Sequence, residues 1–159
     1  MDNIEIERKF LVKGDFLPFV TKKEKIVQAY LCASPEKAVR IRIKGDLAYI
    51  TVKGPSNENG FSRCEFEYPI PLADAKEMLT LSDSLIEKER NYIPMGEYVF
   101  EIDVFHGVHE GLIVAELELK SEDETFEKPD WLGEEVTGDE RYYNAYLAFH
   151  PFTESSNHS

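Results

Sequence analysis

Residues 4–12 read Ile-Glu-Ile-Glu-Arg-Lys-Phe-Leu-Val, and this stretch decides the fold. Apolar side chains occupy one face of the extended chain, whereas Glu5, Glu7 and Lys9 occupy the other. Alternation with a period of two residues predicts a β-strand. The strand is unusual because its polar face is entirely ionic, so the question is where that face points.

The same alternation recurs along the chain and predicts eight strands. They span residues 4–12, 25–33, 39–44, 48–53, 61–70, 86–93, 98–105 and 112–121. Short helices are predicted at 14–20, 72–81 and 140–149, with hairpin turns at Gly45-Asp46 and Asn59-Gly60. Because helices do not alternate regularly with strands, the pattern favours an antiparallel sheet over a parallel one.

The charged residues on these alternating strands are sorted by sign. The basic group contains Lys9, Arg40, Arg42, Lys53, Arg63, Lys88, Arg90 and Lys120. The acidic group contains Glu5, Glu7, Glu65, Glu67, Glu101, Asp103, Glu116 and Glu118. A two-layer fold with solvated charged faces is the better interpretation of any single strand. It explains the whole set poorly, because solvated faces also carry Ser, Thr, Asn and Gln, which are scarce here.

A sheet that closes on itself would turn one ionic face into a lumen. The two groups would balance there, which matters because an unpaired buried charge is strongly destabilising. The apolar outer face would then need a cover, which helices and, in a homodimer, a second subunit would supply. We therefore predict a mainly β (α+β) protein: an eight-stranded antiparallel closed β-barrel with a few flanking helices.

Composition limits the possible functions. The chain has 159 residues, of which 42% are hydrophobic, so we predict one domain at residues 1–150 and a disordered tail at 151–159. The net charge of −13 argues against nucleic-acid or anionic-membrane partners. The two cysteines lack metal-type spacing, and the sequence shows no signal peptide and no apolar run of membrane-spanning length. These features predict a cytoplasmic protein.

An ionic lumen of this kind suits a triphosphate together with a metal ion. Arginine binds phosphate oxygens bidentately and lysine acts as a point charge, so clustered basic side chains form an anion cradle. The paired carboxylates Glu5/Glu7 and Glu116/Glu118 would repel such a ligand unless they bind Mg²⁺ or Mn²⁺, hard cations that bridge to phosphates. One carboxylate from each of two neighbouring strands would be enough to share an ion.

An ordered series of motifs supports this interpretation. It begins with the E-x-E-x-K pattern of Glu5-Ile6-Glu7-Arg8-Lys9 and continues through Arg40-Ile41-Arg42, Thr51-Val52-Lys53-Gly54, Glu65-Phe66-Glu67, Lys88-Glu89-Arg90, Ile102-Asp103-Val104-Phe105 and Glu116-Leu117-Glu118. It ends in Gly133-Glu134-Glu135-Val136-Thr137 and Tyr142-Tyr143-Asn144. The series runs over residues 1 to about 149 and resembles the CYTH superfamily, also called triphosphate tunnel metalloenzymes.

The resemblance implies an eight-stranded tunnel that holds a triphosphate at its middle. It implies metal ligands at Glu5, Glu7, Glu116 and Glu118; phosphate-binding groups at Lys9, Arg40, Arg42, Lys53, Arg63, Lys88 and Arg90; and supporting carboxylates at Glu65, Glu67 and Asp103. It implies a catalytic set of Glu7, Lys9, Tyr30 and Lys88, with a Lys9–Tyr30 contact of the kind used by small bacterial members. Possible homodimerisation is a further expectation from the fold class.

Members of the superfamily differ in the reaction they catalyse. The short single-domain form resembles the bacterial inorganic triphosphatases most, so we predict metal-dependent hydrolysis of inorganic triphosphate. Adenylate cyclase and thiamine triphosphatase activities stay open, as does a triphosphate or polyphosphate sensor without turnover. The only tryptophan, Trp131, is expected to pack on the outside of the barrel, and His106–His109 is expected to form a surface turn.

Overall fold

The computed structural model describes residues 4–34, 36–56 and 62–150, with the backbone alone described for Ile4, Glu5 and Ser56. In these ranges the chain forms nine strands. They are β1 (Ile4–Val12), β2 (Lys22–Ala33), β3 (Ala38–Lys44), β4 (Leu47–Ser56), β5 (Ser62–Ile70), β6 (Ile86–Met95), β7 (Tyr98–Phe105), β8 (Ile113–Glu118) and β9 (Leu132–Glu135).

Eight of these strands close into an antiparallel barrel. The sheet order is β5-β4-β3-β2-β6-β7-β8-β1, and β5 closes the circle by pairing Cys64 with Ile4 and Arg63 with Glu5. Closure leaves no free sheet edge and fixes an inside and an outside for every strand. The predicted eight-stranded closed barrel is therefore confirmed.

Strand β9 was not predicted, and it extends the sheet at one place. β1 pairs with β8 along one edge, while its other edge pairs with β5 at the start and with β9 at the end. In the β9 pairing, Phe10 lies opposite Glu135 and Val12 opposite Leu132. Four residues are too few to show a period, which is why the alternation gave no signal for this strand.

The helical elements are shorter than predicted. They are α1 (Leu72–Leu79), α2 (Asn144–Leu147) and 3-10 turns at Leu17–Phe19, Gly107–His109 and Glu140–Tyr142. The predicted helix at 14–20 is only the first of these turns, and the one at 140–149 is split at Tyr143, whose backbone is extended.

Two other predictions near strand ends have different outcomes. The Gly45-Asp46 turn is confirmed, with Gly45 at a φ of 61° that favours glycine, whereas Asn59-Gly60 lies outside the described residues. The prediction of a strand at 112–121 was too long. Because β8 ends at Glu118, Lys120 lies beyond the barrel wall and is exposed, so its assignment to the lumen was wrong.

Apolar side chains cover the outside of the barrel in three clusters. Trp131 is buried there and packs edge-on against Phe100 at a ring-centroid distance of 5.2 Å, as expected from the sequence. Helix α1 covers the outer face around Ile41. The C-terminal segment contributes Tyr142 and Leu147 to the third cluster, which also contains Ile86 and Phe105 of the barrel. Within the described residues, no helix has the length and apolar character needed to cross a membrane.

Candidate active site

The barrel encloses a cavity of about 260 Å³. Charged residues from seven of its eight strands line it: Glu7, Lys9, Arg40, Arg42, Lys44, Lys53, Arg63, Glu65, Glu67, Arg90, Glu101, Glu116 and Glu118. Tyr30 and residues of the C-terminal segment complete the lining. Seven of these lining residues are basic and six are acidic, so the cavity has a slight positive excess inside a molecule with a net charge of −13.

Carboxylates face one another on the side formed by β1, β7 and β8. Glu7 lies opposite Glu118 in the β1–β8 register, and Glu101 lies opposite Glu116 in the β7–β8 register. Like charges that are direct cross-strand neighbours repel one another. Arg90 offsets this repulsion in the second pair, because it lies 3.2 Å from Glu101 and 3.6 Å from Glu116.

Lys9 ties the carboxylates together. Its Nζ lies 2.6 Å from a Glu116 oxygen and 3.4 Å from a Glu7 oxygen. Burial alone would raise the pKa of Glu116, but the Lys9 ammonium and the Arg90 guanidinium outweigh burial and hold that pKa well below its ordinary value. Glu116 is therefore ionised at neutral pH. Burial is the largest influence on Glu101 and raises its pKa, against the opposing effect of Arg90.

A second ionic group lies behind the lining and is fully buried. Asp103 accepts two hydrogen bonds from Arg90, at 2.8 and 2.9 Å, and lies 2.6 Å from the Lys88 Nζ. Lys88 also donates to Asn144 Oδ1 at 2.8 Å, which links the barrel to α2. Burial, reinforced by the cations of Arg90 and Arg42, lowers the pKa of Lys88 to about 7 despite its Asp103 partner.

The opposite side of the cavity, on β3 to β5, is basic. Arg40 lies 3.5 Å from Glu67 and donates to Thr51 Oγ1 at 3.2 Å. Lys53 lies 3.3 Å from Glu65. Carboxylates of β5 thus lie next to both cations in the cavity wall.

Arg42 differs from Arg40 and Lys53 on the basic side. Its Nε donates to the Gln28 amide oxygen at 2.8 Å, and no carboxylate of the described residues pairs with it. Burial first, then the cations of Arg40 and Arg90, lower its pKa to about 9. Arg42 is therefore a buried cation at neutral pH that forms no ion pair with a carboxylate of the described residues.

Tyr30 is held in the cavity wall by its backbone. The β2 register shifts between Tyr30 and Cys32, beyond the last residue of β2 that pairs with β6. Ser84 Oγ accepts the Tyr30 N–H at 2.9 Å, and Ser82 Oγ donates to the Tyr30 carbonyl at 2.7 Å. Two serines therefore replace the missing strand partner.

Most of the predicted site residues converge on this cavity. Lys88 and Asp103 are the two predicted residues of the described set that lie behind the lining rather than on it. The side chain of Glu5 lies outside the described part of the chain, although its backbone pairs with Arg63. Lys9 and Tyr30 line the same cavity, and a direct contact between their side chains stays a prediction.

Sequence reasoning missed several residues at the cavity. Lys44 continues the alternation of Arg40 and Arg42, so the period-two signal was available for it. Thr137 and Asn144 belong to the last motifs of the CYTH-like series but received no site role, because they come from loop and helix segments where alternation gives no signal. Gln28 lies behind Arg42 and is uncharged, so sorting residues by charge passed over it.

The acidic side has the donor chemistry of a site for a hard divalent cation. A cation between Glu7 and Glu118 would replace their repulsion by attraction, and carboxylate oxygens are the ligands that Mg²⁺ and Mn²⁺ prefer. Among the described side chains, no group of three or more Asp, Glu, His or Cys is arranged to hold a metal. Glu7 and Glu118 are thus the two predicted metal ligands that are direct cross-strand neighbours among the described residues.

Fold and cavity define a class: a closed antiparallel β-barrel that carries its ionised side chains in the interior and its apolar ones outside. A comparison with known families gives the same result, because the model of the CYTH domain matches residues 3–143. The chain belongs to the CYTH domain family.

Two curated relatives are similar over nearly the full length of the chain. An inorganic triphosphatase of Acetivibrio thermocellus is 43% identical over 150 residues, which is 93% of this chain and 95% of the relative. An inorganic triphosphatase of Nitrosomonas europaea is 37% identical over 150 residues, or 91% of this chain and 96% of the relative. A solved crystal structure of an inorganic triphosphatase superposes with a TM-score of 0.65 at 33% identity, covering 91% of this chain and 93% of the other.

Proposed function

We propose that this protein hydrolyses inorganic triphosphate in its barrel cavity with the help of a divalent metal ion. The observation that carries the proposal is the division of one cavity into two sides, with Arg40, Arg42 and Lys53 facing the carboxylates of Glu7 and Glu118. A ligand that suits both sides is a polyanion carrying a cation. Two relatives that match over most of their length bear the name inorganic triphosphatase, which supports the same substrate.

The cations of the cavity wall bind and orient the phosphates. We assign this role to Lys9, Arg40, Arg42, Lys53, Arg63, Lys88 and Arg90, of which Lys88 acts from behind the lining. Fixed guanidinium and ammonium groups favour the charge that develops on a transferring phosphoryl group, and they need no reorganisation during the reaction. Glu65, Glu67 and Asp103 keep these cations in place, as the distances from Lys53, Arg40 and Arg90 indicate.

The acidic side binds Mg²⁺ or Mn²⁺ through Glu7 and Glu118, with Glu5 and Glu116 as the remaining proposed ligands. When bound, such an ion lowers the pKa of a water molecule and neutralises phosphate charge. Glu7, Lys9, Tyr30 and Lys88 form the proposed catalytic set. In this set Glu7 takes the role of proton acceptor, and the Lys9 Nζ, 3.4 Å from a Glu7 oxygen, supports its position in the cavity wall.

Lys88 contributes to the proposed catalytic set from behind the cavity lining. Its Nζ lies 2.6 Å from Asp103 and donates to Asn144 Oδ1 at 2.8 Å. In this position Lys88 acts as a buried positive charge that favours a polyanion in the cavity.

Phosphate release tests the proposal. Purified protein with inorganic triphosphate and Mg²⁺ or Mn²⁺ is expected to release orthophosphate and pyrophosphate, and excess EDTA is expected to stop release. Glu7→Gln removes a proposed ligand and is expected to increase the metal concentration needed for half-maximal rate. Lys23→Met, at an exposed position outside the cavity, serves as the matched control. Absence of release above the Glu116→Ala background with either metal would refute hydrolysis.

The same assay separates the alternatives. ATP converted to cyclic AMP would indicate a cyclase, and preferential turnover of thiamine triphosphate would indicate a thiamine triphosphatase. Saturable binding without turnover of any triphosphate would indicate a sensor. A cytoplasmic location, a homodimer and a single domain spanning residues 1–150 stay predictions, of which sedimentation analysis tests the second.

A further inference from the structure

Gln28 is a buried polar residue of β2 that the proposed catalytic and binding sets do not include. It is fully buried, and its register partner on β3 is Arg42. Its Oε1 accepts the Arg42 Nε–H at 2.8 Å, while its Nε2 has no hydrogen-bond partner among the described residues. Buried amide groups are nearly always satisfied, so an exception of this kind requires an explanation.

The contrast with neighbouring cations shows what the neutral amide does. Lys9, Arg40, Lys53, Lys88 and Arg90 each lie within 4 Å of a carboxylate, whereas Arg63 donates to the Gly54 carbonyl. Arg42 has a neutral side-chain amide as the acceptor for its Nε–H, and that is its one hydrogen bond to a side chain among the described residues. A glutamate at position 28 would have the same shape and would pair with the Arg42 guanidinium, yet the chain carries glutamine.

We propose that Gln28 is a positioning residue of the phosphate site. It fixes the Arg42 guanidinium through a neutral acceptor, so that the positive charge of Arg42 is not neutralised and its two terminal nitrogens can bind a phosphate. The inference rests on the proposed function, because it takes a phosphate as the counterion of Arg42. A guanidinium held at Nε keeps its outer edge, with two parallel N–H donors, for bidentate contact with phosphate oxygens. Arg42 lines the cavity, so that edge is accessible to a ligand there.

Charge rather than shape is the property that position 28 controls. A carboxylate there would form a buried pair with Arg42 and compete with the incoming phosphate. The nearby cations Arg40 and Arg90 would add to that attraction, since both act electrostatically on Arg42. Gln28→Glu is therefore expected to fold and to bind triphosphate poorly.

The test measures binding separately from turnover. Inorganic triphosphate is titrated calorimetrically into parent, Gln28→Glu and Gln28→Met proteins in EDTA, and KM and kcat are measured with Mg²⁺. We expect Gln28→Glu to weaken triphosphate binding at least tenfold and to raise KM by a similar factor, with kcat within threefold of the parent. Gln28→Met, which has no acceptor for Arg42 Nε, is expected to weaken binding to a smaller extent.

A double-mutant cycle with Arg42→Ala distinguishes positioning from general damage. If Gln28 acts through Arg42, Gln28→Glu adds little to the loss in the Arg42→Ala background. Asn91, a buried amide on β6 that donates to the Glu89 and Ile102 carbonyls, provides the matched control. Asn91→Ala is expected to lower the Tm without changing the Kd for triphosphate.

The outcomes separate this inference from the proposed function. Parental affinity in folded Gln28→Glu, or full additivity with Arg42→Ala, overturns the role of Gln28 whether or not the parent turns over. Triphosphate binding without phosphate release in the parent refutes hydrolysis and still tests Gln28 through the Kd. A parent that binds no triphosphate in EDTA and releases no phosphate with Mg²⁺ overturns both.

Discussion

At the scale of single residues, Arg42 should have the clearest effect on substrate affinity. Its guanidinium is buried, lines the cavity and pairs with no carboxylate of the described residues, so a bound phosphate gains a charge-assisted contact there. Such hydrogen bonds are worth about 1.5–3 kcal/mol, or roughly a 10- to 150-fold change in affinity. Arg42→Ala is expected to raise KM for inorganic triphosphate by that factor, while Lys23→Met does not. An unchanged KM in Arg42→Ala would exclude Arg42 from phosphate binding.

Lys88 should make stability depend on pH in a recognisable window. Its pKa falls from the ordinary 10.5 to about 7 in the folded protein. Between these values the unfolded chain binds more protons than the folded one, so the contribution of Lys88 to stability rises with pH through that window. Below pH 7 both states are protonated and the cost of burying the ammonium is fully present.

Chemical unfolding at several pH values measures this effect. The free energy of unfolding of the parent minus that of Lys88→Met is expected to increase from pH 7 to 10.5, with a slope of at most about 1.4 kcal/mol per pH unit. The exposed lysine variant Lys23→Met should give a flat difference. A flat difference for Lys88→Met as well would show that Lys88 keeps an ordinary pKa.

At the scale of elements, β9 attaches the C-terminal segment to the barrel. Arg8 on β1 donates to Glu135 on β9 at 2.8 and 2.6 Å, and Thr137 Oγ1 donates to the same carboxylate at 2.7 Å. Thr137 also accepts the Lys9 N–H at 2.9 Å and lines the cavity. The Glu135 carboxylate therefore anchors both β9 and Thr137, which is part of the cavity wall.

Removing the Glu135 carboxylate should destabilise both β9 and the cavity wall at Thr137. Glu135→Ala is expected to lower the free energy of unfolding by about 1–2 kcal/mol, since the pair is bidentate and partly buried. Arg141→Ala breaks the exposed Arg141–Asp139 pair and should cost less than about 0.5 kcal/mol, the usual value for surface pairs. Equal effects of the two substitutions in urea denaturation would rule out a special role for the Arg8–Glu135 pair.

Sequence patterns predicted the long elements well and the short ones poorly. β1 and β7 have the predicted bounds because alternation continues over eight or nine residues. β9 and α2 have four residues each and depend on tertiary partners, so local patterns carry no signal for them. Register is likewise non-local: the Cys64–Ile4 pair that closes the barrel joins distant parts of the chain.

At the scale of the whole molecule, sorting by sign was the informative signal. Balanced ionic faces are hard to explain on a solvated sheet, and they predicted the interior that the barrel has. The cavity lining carries seven basic and six acidic residues, close to the balance expected from the sequence. The exceptions have physical causes: Lys120 follows the end of β8, and Lys88 and Asp103 pair with each other behind the lining.

Overall charge also predicts how metal and triphosphate depend on each other. A triphosphate carries about four negative charges near neutral pH, as expected from roughly two per terminal phosphate group, while the cavity lining has a net excess of one positive charge. Triphosphate bound alone gives the cavity a strongly negative charge. A divalent cation bound alone is repelled by the arginines and lysines of the lining. Together they approach neutrality, so each should increase the affinity for the other.

Thermal unfolding measures this coupling without turnover if the hydrolysis-resistant imido analogue of triphosphate replaces the substrate. Binding to the native state alone raises the Tm. The rise with Mg²⁺ and the analogue together is expected to exceed the sum of the rises with each alone. Glu7→Gln should abolish that excess while retaining the rise caused by the analogue alone, because the basic side of the cavity is intact. Strict additivity in the parent would mean that the ion and the triphosphate do not share the cavity.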